Sequence, residues 1–365
     1  LIIQSIQNLV LFLKGRLMKK RELEAYCGDL GQIFGIQECI LEGGKSKGIK
    51  AYLIDNGNGL ALIVLADKCL AIPILKFKGI NIGFLSKTGI CAPEFFQEEG
   101  TRGFLRNFEA GFLTTCGLTY MGSPCEVNHQ KNGLHGVISN TPLERASTLV
   151  VWNKDKALMQ ISGYAREGYL FGPNLVIHKE LDLPVGKNRL EIHDVVENRG
   201  FEASPLMLLY HFNYGYPMLD ESCKVYCNYD SIRARDQGSD GRLKYINQFD
   251  KPIPGFEEIV AFRTMSAPNK RDGKIIIYNK NLGIAVQMFL NPKQLPVINQ
   301  WKSPRAGDYV LGMEPGTGHV GGIIKTEKDG LLMKIMPGEK KHFDIIVEFM
   351  DEENKIKEAI EKLTI

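Results

Sequence analysis

From residue 38 the chain is a succession of short apolar runs broken by turn residues, at 49–54, 60–65, 72–77 and 80–84. Asn56-Gly57-Asn58-Gly59 separates two of them, and Asn-Gly is a strong hairpin signal because both central residues tolerate positive φ. The pattern predicts an antiparallel meander. Between 92 and 115 it changes: Pro93, the acidic stretch to Glu99, Gly100 and Phe104-Leu105-Arg106 predict one or two short helices over the sheet. Residues 119–143 have little periodicity and contain Gly122, Pro124, His129, Gly133, His135 and Gly136, which predicts a long loop. Strands are then predicted at 148–152, 157–165, 175–183, 189–197, 206–214, 224–229 and 259–264, and further on at 274–278, 284–290, 297–301, 309–313, 322–326, 331–336 and 342–349. No helices of 10–15 residues alternate with them, which argues against a parallel βαβ design. The clearest helix is 352–363, with Ile356, Ala359, Ile360 and Leu363 on one face. With no repeat and no linker, the reading is all-β, one large sandwich of two curved sheets over 18–365.

Composition narrows the function classes without naming one. The 365 residues, 44% hydrophobic and 24% charged, are those of a globular protein. A net charge of +3 from 45 basic and 42 acidic residues gives no nucleic-acid footprint, and the basic cluster from Lys14 to Arg21 reads as a solvated helix face. Eight cysteines without CxxC spacing read as buried thiols of a reducing compartment, hence a cytoplasmic protein; Cys223 and Cys227 alone would share a strand face, where a metal or a disulfide is conceivable. Residues 1–17 lack a basic n-region and a cleavage site, and are shorter than the roughly 20 apolar residues of a spanning helix. They are taken as an added segment or as upstream readthrough before Met18, and no membrane association is expected.

Few residues carry chemistry. Gly316-Thr317-Gly318-His319-Val320-Gly321 matches GxGxxG in form but lacks the strand-turn-helix setting that aims amides at a pyrophosphate. Of the seven histidines, His178, His193 and His342 lie in strand alternation, where a histidine is ordinarily exposed or bonded to backbone. His211 stands apart, amid Tyr210, Phe212, Tyr214 and Tyr216, whose rings would suit a flat or sugar-like ligand, with Asn213 as a polar contact. Glu314 lies between Gly312 and Gly316 at the mouth of an apparent turn; its bland reading is a solvated turn residue, its sharper one the base of a carbohydrate cleft that includes Gln300 and Trp301.

His135 in Gly133-Leu134-His135-Gly136, His211 in Tyr210-His211-Phe212-Asn213 and Glu314 in Gly312-Met313-Glu314-Pro315 resemble, in order and spacing, the aldose 1-epimerase (galactose mutarotase) superfamily. The segments 113–118, 136–142, 171–175 and 300–315 resemble a bacterial branch of it described only as a domain of unknown function. The resemblance implies a galactose mutarotase-like β-supersandwich with a few short helices, and proton-transfer chemistry without metal or organic cofactor. It implies that Glu314 takes the proton from the anomeric hydroxyl, that His211 protonates the ring oxygen, and that His135 binds the same end of the sugar. Arg106, Asn140, Asn213, Gln300 and Trp301 become candidate substrate contacts. Where the branch carries an arginine this chain has Lys68, which cannot reproduce a planar fork.

The leading reading is therefore an isomerase of free sugars, with a small-molecule carbohydrate as its partner. A carbohydrate-binding or sensing protein without turnover, and an epimerase or isomerase acting at another carbon, stay open. Lys68, Arg106, Lys302 and Arg305 are the cations that would favour an anionic sugar. The oligomeric state is open, a homodimer included.

Overall fold

The computed structural model describes residues 11–13, 16–127, 129–265 and 272–364. Most of the expected amino-terminal extension, residues 1–10, 14 and 15, lies outside the described residues. Alternating burial builds two large antiparallel sheets. In chain order, β1 (Gly35–Ile40), β2 (Lys50–Asp55), β3 (Leu60–Leu65), β4 (Ala71–Phe77) and β5 (Leu113–Cys116) enter the first sheet. The second takes β6 (Glu144–Asn153), β7 (Lys156–Gly168), β8 (Asn174–Pro184) and β9 (Arg189–Asn198). The chain then crosses between them through β10 (Leu209–Tyr214), β11 (Cys223–Cys227), β12 (Ser231–Ala234), β13 (Ile259–Thr264), β14 (Gly273–Asn279), β15 (Ile284–Leu290), β16 (Val297–Arg305), β17 (Asp308–Gly316) and β18 (Lys340–Met350).

The first sheet runs β12-β13-β16-β17-β10-β5-β4-β3-β2-β1, with Ile80–Asn81 added beside β4, and the second runs β6-β7-β8-β9-β18-β15-β14-β11. Their inner faces share one apolar cluster, to which the first sheet gives Leu62, Leu75, Tyr210, Phe212 and Met313 and the second gives Ile161, Ile177, Ile192, Ile277 and Val347. The helix Glu353–Thr364 covers the outer face of the second sheet, packing Ile356 and Leu363 on Ile276 and Ala285. Cys223 and Cys227 do fall on one strand, β11, but four residues of strand span about 13 Å, too far for a disulfide.

The meander of 49–84 and the helix at 352–363 match the sequence pattern. Other segments depart from it for identifiable reasons. The expected strand at 322–326 is a helix, Ile323–Lys328, which turns Ile323 and Thr326 inward and leaves Ile324 exposed; Thr326 donates from both N–H and hydroxyl to the Gly322 carbonyl. The expected loop at 119–143 contains a small hairpin, Cys125–Val127 with Gln130–Asn132, and a turn of 3-10 helix at Ile138–Asn140. The strands expected at 297–301 and 309–313 are longer and join as the β16–β17 hairpin, so Glu314 is a mid-strand residue and not a turn residue.

One polar cluster interrupts the apolar core between the sheets. Lys179 of β8 is fully buried and lies 2.5 Å from Asp194 of β9, while reaching across to the Thr115 hydroxyl of β5 at 3.0 Å. The Tyr210 hydroxyl of β10 donates to the same Asp194 oxygen at 2.6 Å. A buried ion pair is sustained only while both charges and their hydrogen bonds are present. Lys179→Met is expected to lower stability by about 3–5 kcal/mol, because it leaves Asp194 buried and uncompensated. Lys179→Met with Asp194→Leu should recover part of that loss, and urea midpoints for the single and double variants check both values; a single variant within about 1 kcal/mol of the parent would sink the assignment.

Candidate active site

Strand parity decides which side chains meet. Along β10, Tyr210, Phe212 and Tyr214 face the core and are fully buried there, so His211 and Asn213 face the outer side of the first sheet. On β17, Met313 pairs with Phe212 and Gly312 with Asn213, which puts Glu314 across from His211. His211 Nε2 lies 3.3 Å from Glu314 Oε1, and the two residues are 4% and 2% exposed. Gly312 makes this approach possible: a Cβ there would sit 2.3 Å from Glu314 Oε1. Asn299 of β16 holds the following backbone, donating to the Glu314 and Gly318 carbonyls and accepting from Val320 N–H.

His135 arrives from the 119–143 segment on a tight turn, with φ of 62° at His135 and 70° at Gly136. Gly136 is required there, since a Cβ would lie 2.5 Å from the Tyr120 carbonyl oxygen. The His135 Nδ1 accepts from Gly122 N–H at 3.3 Å, which leaves the proton on Nε2. Its ring stands edge-on to His211 at 5.7 Å. Sequence reasoning placed His135, His211 and Glu314 in one cleft, and the structure brings them together.

The aromatic surroundings are not those expected. Tyr210, Phe212 and Tyr214 belong to the opposite face, and Tyr216 is exposed. Phe108 instead packs 4.9 Å from His211, and Phe104 lies 4.7 Å from Phe108 and 5.0 Å from His135. Phe104 lies in the helix Gly100–Asn107 and Phe108 directly follows it; their i, i+4 spacing is the signal the sequence offered. Trp301 closes the other side, 5.7 Å from His211, and donates from Nε1 to Glu258, which in turn pairs with Arg235.

The remaining candidates divide. Asn213 lies beside His211 and donates to the Ala110 carbonyl. Asn140 accepts from Asn107, whose own carbonyl takes the Lys68 ammonium, so it stands one link back from the site. Gln300 faces the other side of the first sheet, where it accepts from Arg263 and donates to Ile246 and Asn247, because neighbouring strand residues point opposite ways and Trp301 takes the outer face. Arg106 is exposed on the helix side away from Phe104 and pairs with Glu99. Lys68 is buried against Glu109 at 2.5 Å, Lys302 donates to the Tyr245 carbonyl on the far face, and Arg305 is exposed beside Asp308.

Burial governs the electrostatics of the pair. It pushes the Glu314 carboxyl well above its ordinary range, helped by nearby Glu258 and opposed by Arg235, and pushes His211 well below its own, helped by His135. His135 falls to about 4 for the same reason. The 3.3 Å contact is close enough for an ion pair but lacks hydrogen-bond alignment: Glu314 Oε1, His211 Nδ1 and Asn213 Oδ1 are buried without hydrogen-bond partners, as are Asn107 Oδ1 and Glu109 Oε1 in the segment leading to Ala110. Buried polar atoms are ordinarily paired, so several unpartnered ones close together single out this face as the candidate site. An open concavity over Ile36, Leu53, Ile63 and Ile74 lies on the distant β1–β4 arm and has only Asp29, Asp55 and Lys76 as charged lining, which gives it no acid-base pair. Among the described residues no group of three or more His, Cys, Asp or Glu side chains is arranged to hold a metal ion, and no helix is long and apolar enough to cross a membrane.

A family model described as Domain of unknown function (DUF4432) matches residues 46–349. No curated protein matches the sequence. Among solved structures, a candidate aldose 1-epimerase from Klebsiella pneumoniae is 24% identical, covers 92% of this chain and 90% of its own, and superposes with a TM-score of 0.86. A galactose mutarotase-like protein from Clostridium acetobutylicum is 14% identical over 88% of this chain and 100% of its own, with a TM-score of 0.62. Galactose 1-epimerase from Lactobacillus acidophilus is 12% identical over 87% and 99%, with a TM-score of 0.56. At these identities the likeness is one of fold. The chain thus has the galactose mutarotase-like β-sandwich, and it belongs to the family described as Domain of unknown function (DUF4432).

Proposed function

We propose that the chain is an aldose 1-epimerase-like enzyme acting on a neutral sugar. The observation that carries this reading is the buried His211–Glu314 contact with unpartnered polar atoms beside it on one face. A hydroxyl donating to Glu314 and a ring oxygen accepting from His211 favour the carboxylate–imidazolium form of the pair. Glu314 takes the proton of the anomeric O1–H, a C1=O1 bond forms, the C1–O5 bond breaks, and O5 receives the proton of His211. Rotation about C1–C2 and the reverse steps on the other face of the aldehyde return both protons and yield the other anomer. His135, whose Nε2 carries a proton, donates to the same end of the sugar; Asn213 and the Trp301 ring supply a polar and an apolar contact. The names of the Klebsiella and Lactobacillus proteins support the same reading. His135, His211 and Glu314 are each less than a tenth exposed, with Phe104, Phe108 and Trp301 packed against the two imidazole rings.

Glu314→Gln keeps the shape and removes the base, so anomer exchange followed by NMR exchange spectroscopy should slow by about 10²–10⁴ while sugar affinity is retained. An unchanged rate would remove Glu314 from the mechanism. If neither protein exchanges any sugar faster than buffer, a binding or sensing role replaces the enzyme. A panel of aldoses and ketoses also detects chemistry at another carbon as new sugars in place of anomers.

The pH profile follows from the sign of the two shifts. Adding a second proton to the pair makes a buried imidazolium, which the lowered His211 resists until well below its usual pH; removing the only proton makes a buried carboxylate, which the raised Glu314 resists until well above its own. The one-proton state therefore spans a wide window, and the rate should be flat across the ordinary imidazole value of about 6.5. A rate that breaks there would show His211 titrating as a solvated imidazole and would overturn the coupled pair.

The four cations that favoured an anionic sugar are engaged elsewhere: Lys68 with Glu109, Arg106 with Glu99, Lys302 with Tyr245 on the opposite face, and Arg305 with Asp308. Calorimetry on an aldose and its terminal phosphate should find the neutral sugar bound at least as tightly, with no salt dependence. Tighter binding of the phosphate, weakened by salt, would reverse the assignment.

A further inference from the structure

β6 ends the order of the second sheet, and among the described residues it pairs on one side only, with β7. Its first residues are irregular: the register shifts between Glu144 and Ser147, and Arg145 has a φ of 54°. Such a bulge protects an edge. From Ser147 to Asn153 the pairing with β7 is continuous, and Ser147-Thr148-Leu149-Val150-Val151-Trp152-Asn153 contains neither charge nor proline. Leu149, Val150 and Val151 are 54%, 43% and 48% exposed. Trp152 and Thr148 turn toward the chain's own amino-terminal part: Trp152 meets Phe34 and Lys20, and Thr148 meets Glu38. Among the described residues, what is left open is the row of edge N–H and C=O groups with the Leu149 and Val151 side chains. A long, uncharged, β-branched edge of this kind is a template for another strand.

The sequence of the edge specifies which strand fits it. Laid antiparallel on itself about a two-fold axis through Val150, the segment sets Ser147 against Asn153, Thr148 against Trp152 and Leu149 against Val151. Beyond these, Arg145 meets Asp155 at each end; Arg145 is exposed, and Asp155 is half-buried, accepting the Lys20 backbone N–H through Oδ1. The continuous stretch is thus centred on the axis, apolar groups meet apolar groups, and the flanking charges are opposite at both ends. Such an isologous fit is what a closed pair requires. We infer that β6 is a homodimer interface, in which a second copy of this chain adds its own β6 antiparallel about Val150 and the two eight-stranded sheets become one. The interface lies on the second sheet, away from His211 and Glu314 on the first.

Sedimentation equilibrium from about 1 to 100 μM, a range that brackets a weak specific dimer, should show the 40.9 kDa chain approaching twice its mass. Val150→Lys sets two like charges together on the axis and should weaken the dimer by at least about tenfold, with circular dichroism unchanged. Arg145→Asp and Asp155→Arg should each weaken it, and the double variant should restore it. Val150→Cys should give an intermolecular disulfide on oxidation, since facing Cα atoms on the axis are about 4.5–5.5 Å apart, within the span a disulfide bridges, whereas Val151→Cys and the parent protein should not. Should the charge variants misfold, the cysteine pair still decides. A monomer at every concentration, an open-ended polymer, or a dimer indifferent to Val150→Lys and to the charge swap would overturn the proposal.

Discussion

Much of the active face depends on a polar contact on the other side of the same strand. Tyr210 donates to Asp194, which is held by Lys179, which also reaches Thr115. Thr115 pairs with Tyr210, and Thr114 with His211, so this cluster pins β5 and β10 to the second sheet with Tyr210 inward. A strand slipped by one residue would turn every side chain over. It would put His211 in the apolar core and Tyr210 outside. An apolar core alone would resist such a slip only through shape. The Asp194 carboxylate adds a directional requirement, because a buried charge left without its partners is far more costly than a misfitted methyl group.

On the outer face the same physics is deliberately unmet. His211, Asn213 and Glu314 are buried and retain unpartnered atoms, while Gly312 and Gly136 remove the Cβ atoms that would keep the groups apart. Buried polar atoms destabilise a fold unless something else satisfies them, and violations of this kind concentrate where function is carried. The cluster between the sheets has its charges and hydroxyls paired and serves the fold. The face above it leaves polar atoms open, as the proposed sugar site requires.

Much of this was legible in the sequence. Apolar alternation located most strands of both sheets, and the Gly-Leu-His-Gly, Tyr-His-Phe-Asn and Gly-Met-Glu-Pro segments located three groups that the structure brings together. What misled was composition read without parity. Gln300 and Trp301 are adjacent in a strand and cannot share a cleft, and the tyrosines flanking His211 must face away from it. Arg106 fell to the equivalent rule for a helix, since the Phe104 face is the buried one. Glycine and proline around Glu314 suggested a turn, but pairing with β16 overrides that local preference. Glu258 comes to the site from a distant segment, and no local pattern announces a contact of that kind.

The charge state of the pair bears on how tightly the site can close. One proton shared between Glu314 and His211 gives a net charge of zero whichever group holds it. A neutral pair can be enclosed by Phe104, Phe108 and Trp301 without the several kcal/mol that burying an isolated charge demands. Glu258 and Arg235 form an ion pair nearby, and their effects on Glu314 oppose each other. On the proposed mechanism a neutral sugar preserves this balance on entering and leaving, and the proton it exchanges is returned within each cycle. An anionic ligand would bring one uncompensated charge into the same surroundings, while the buried Lys68 ammonium is already paired with Glu109. The aromatic surroundings and the neutral pair are therefore mutually consistent, since a pair with no net charge tolerates an apolar wall.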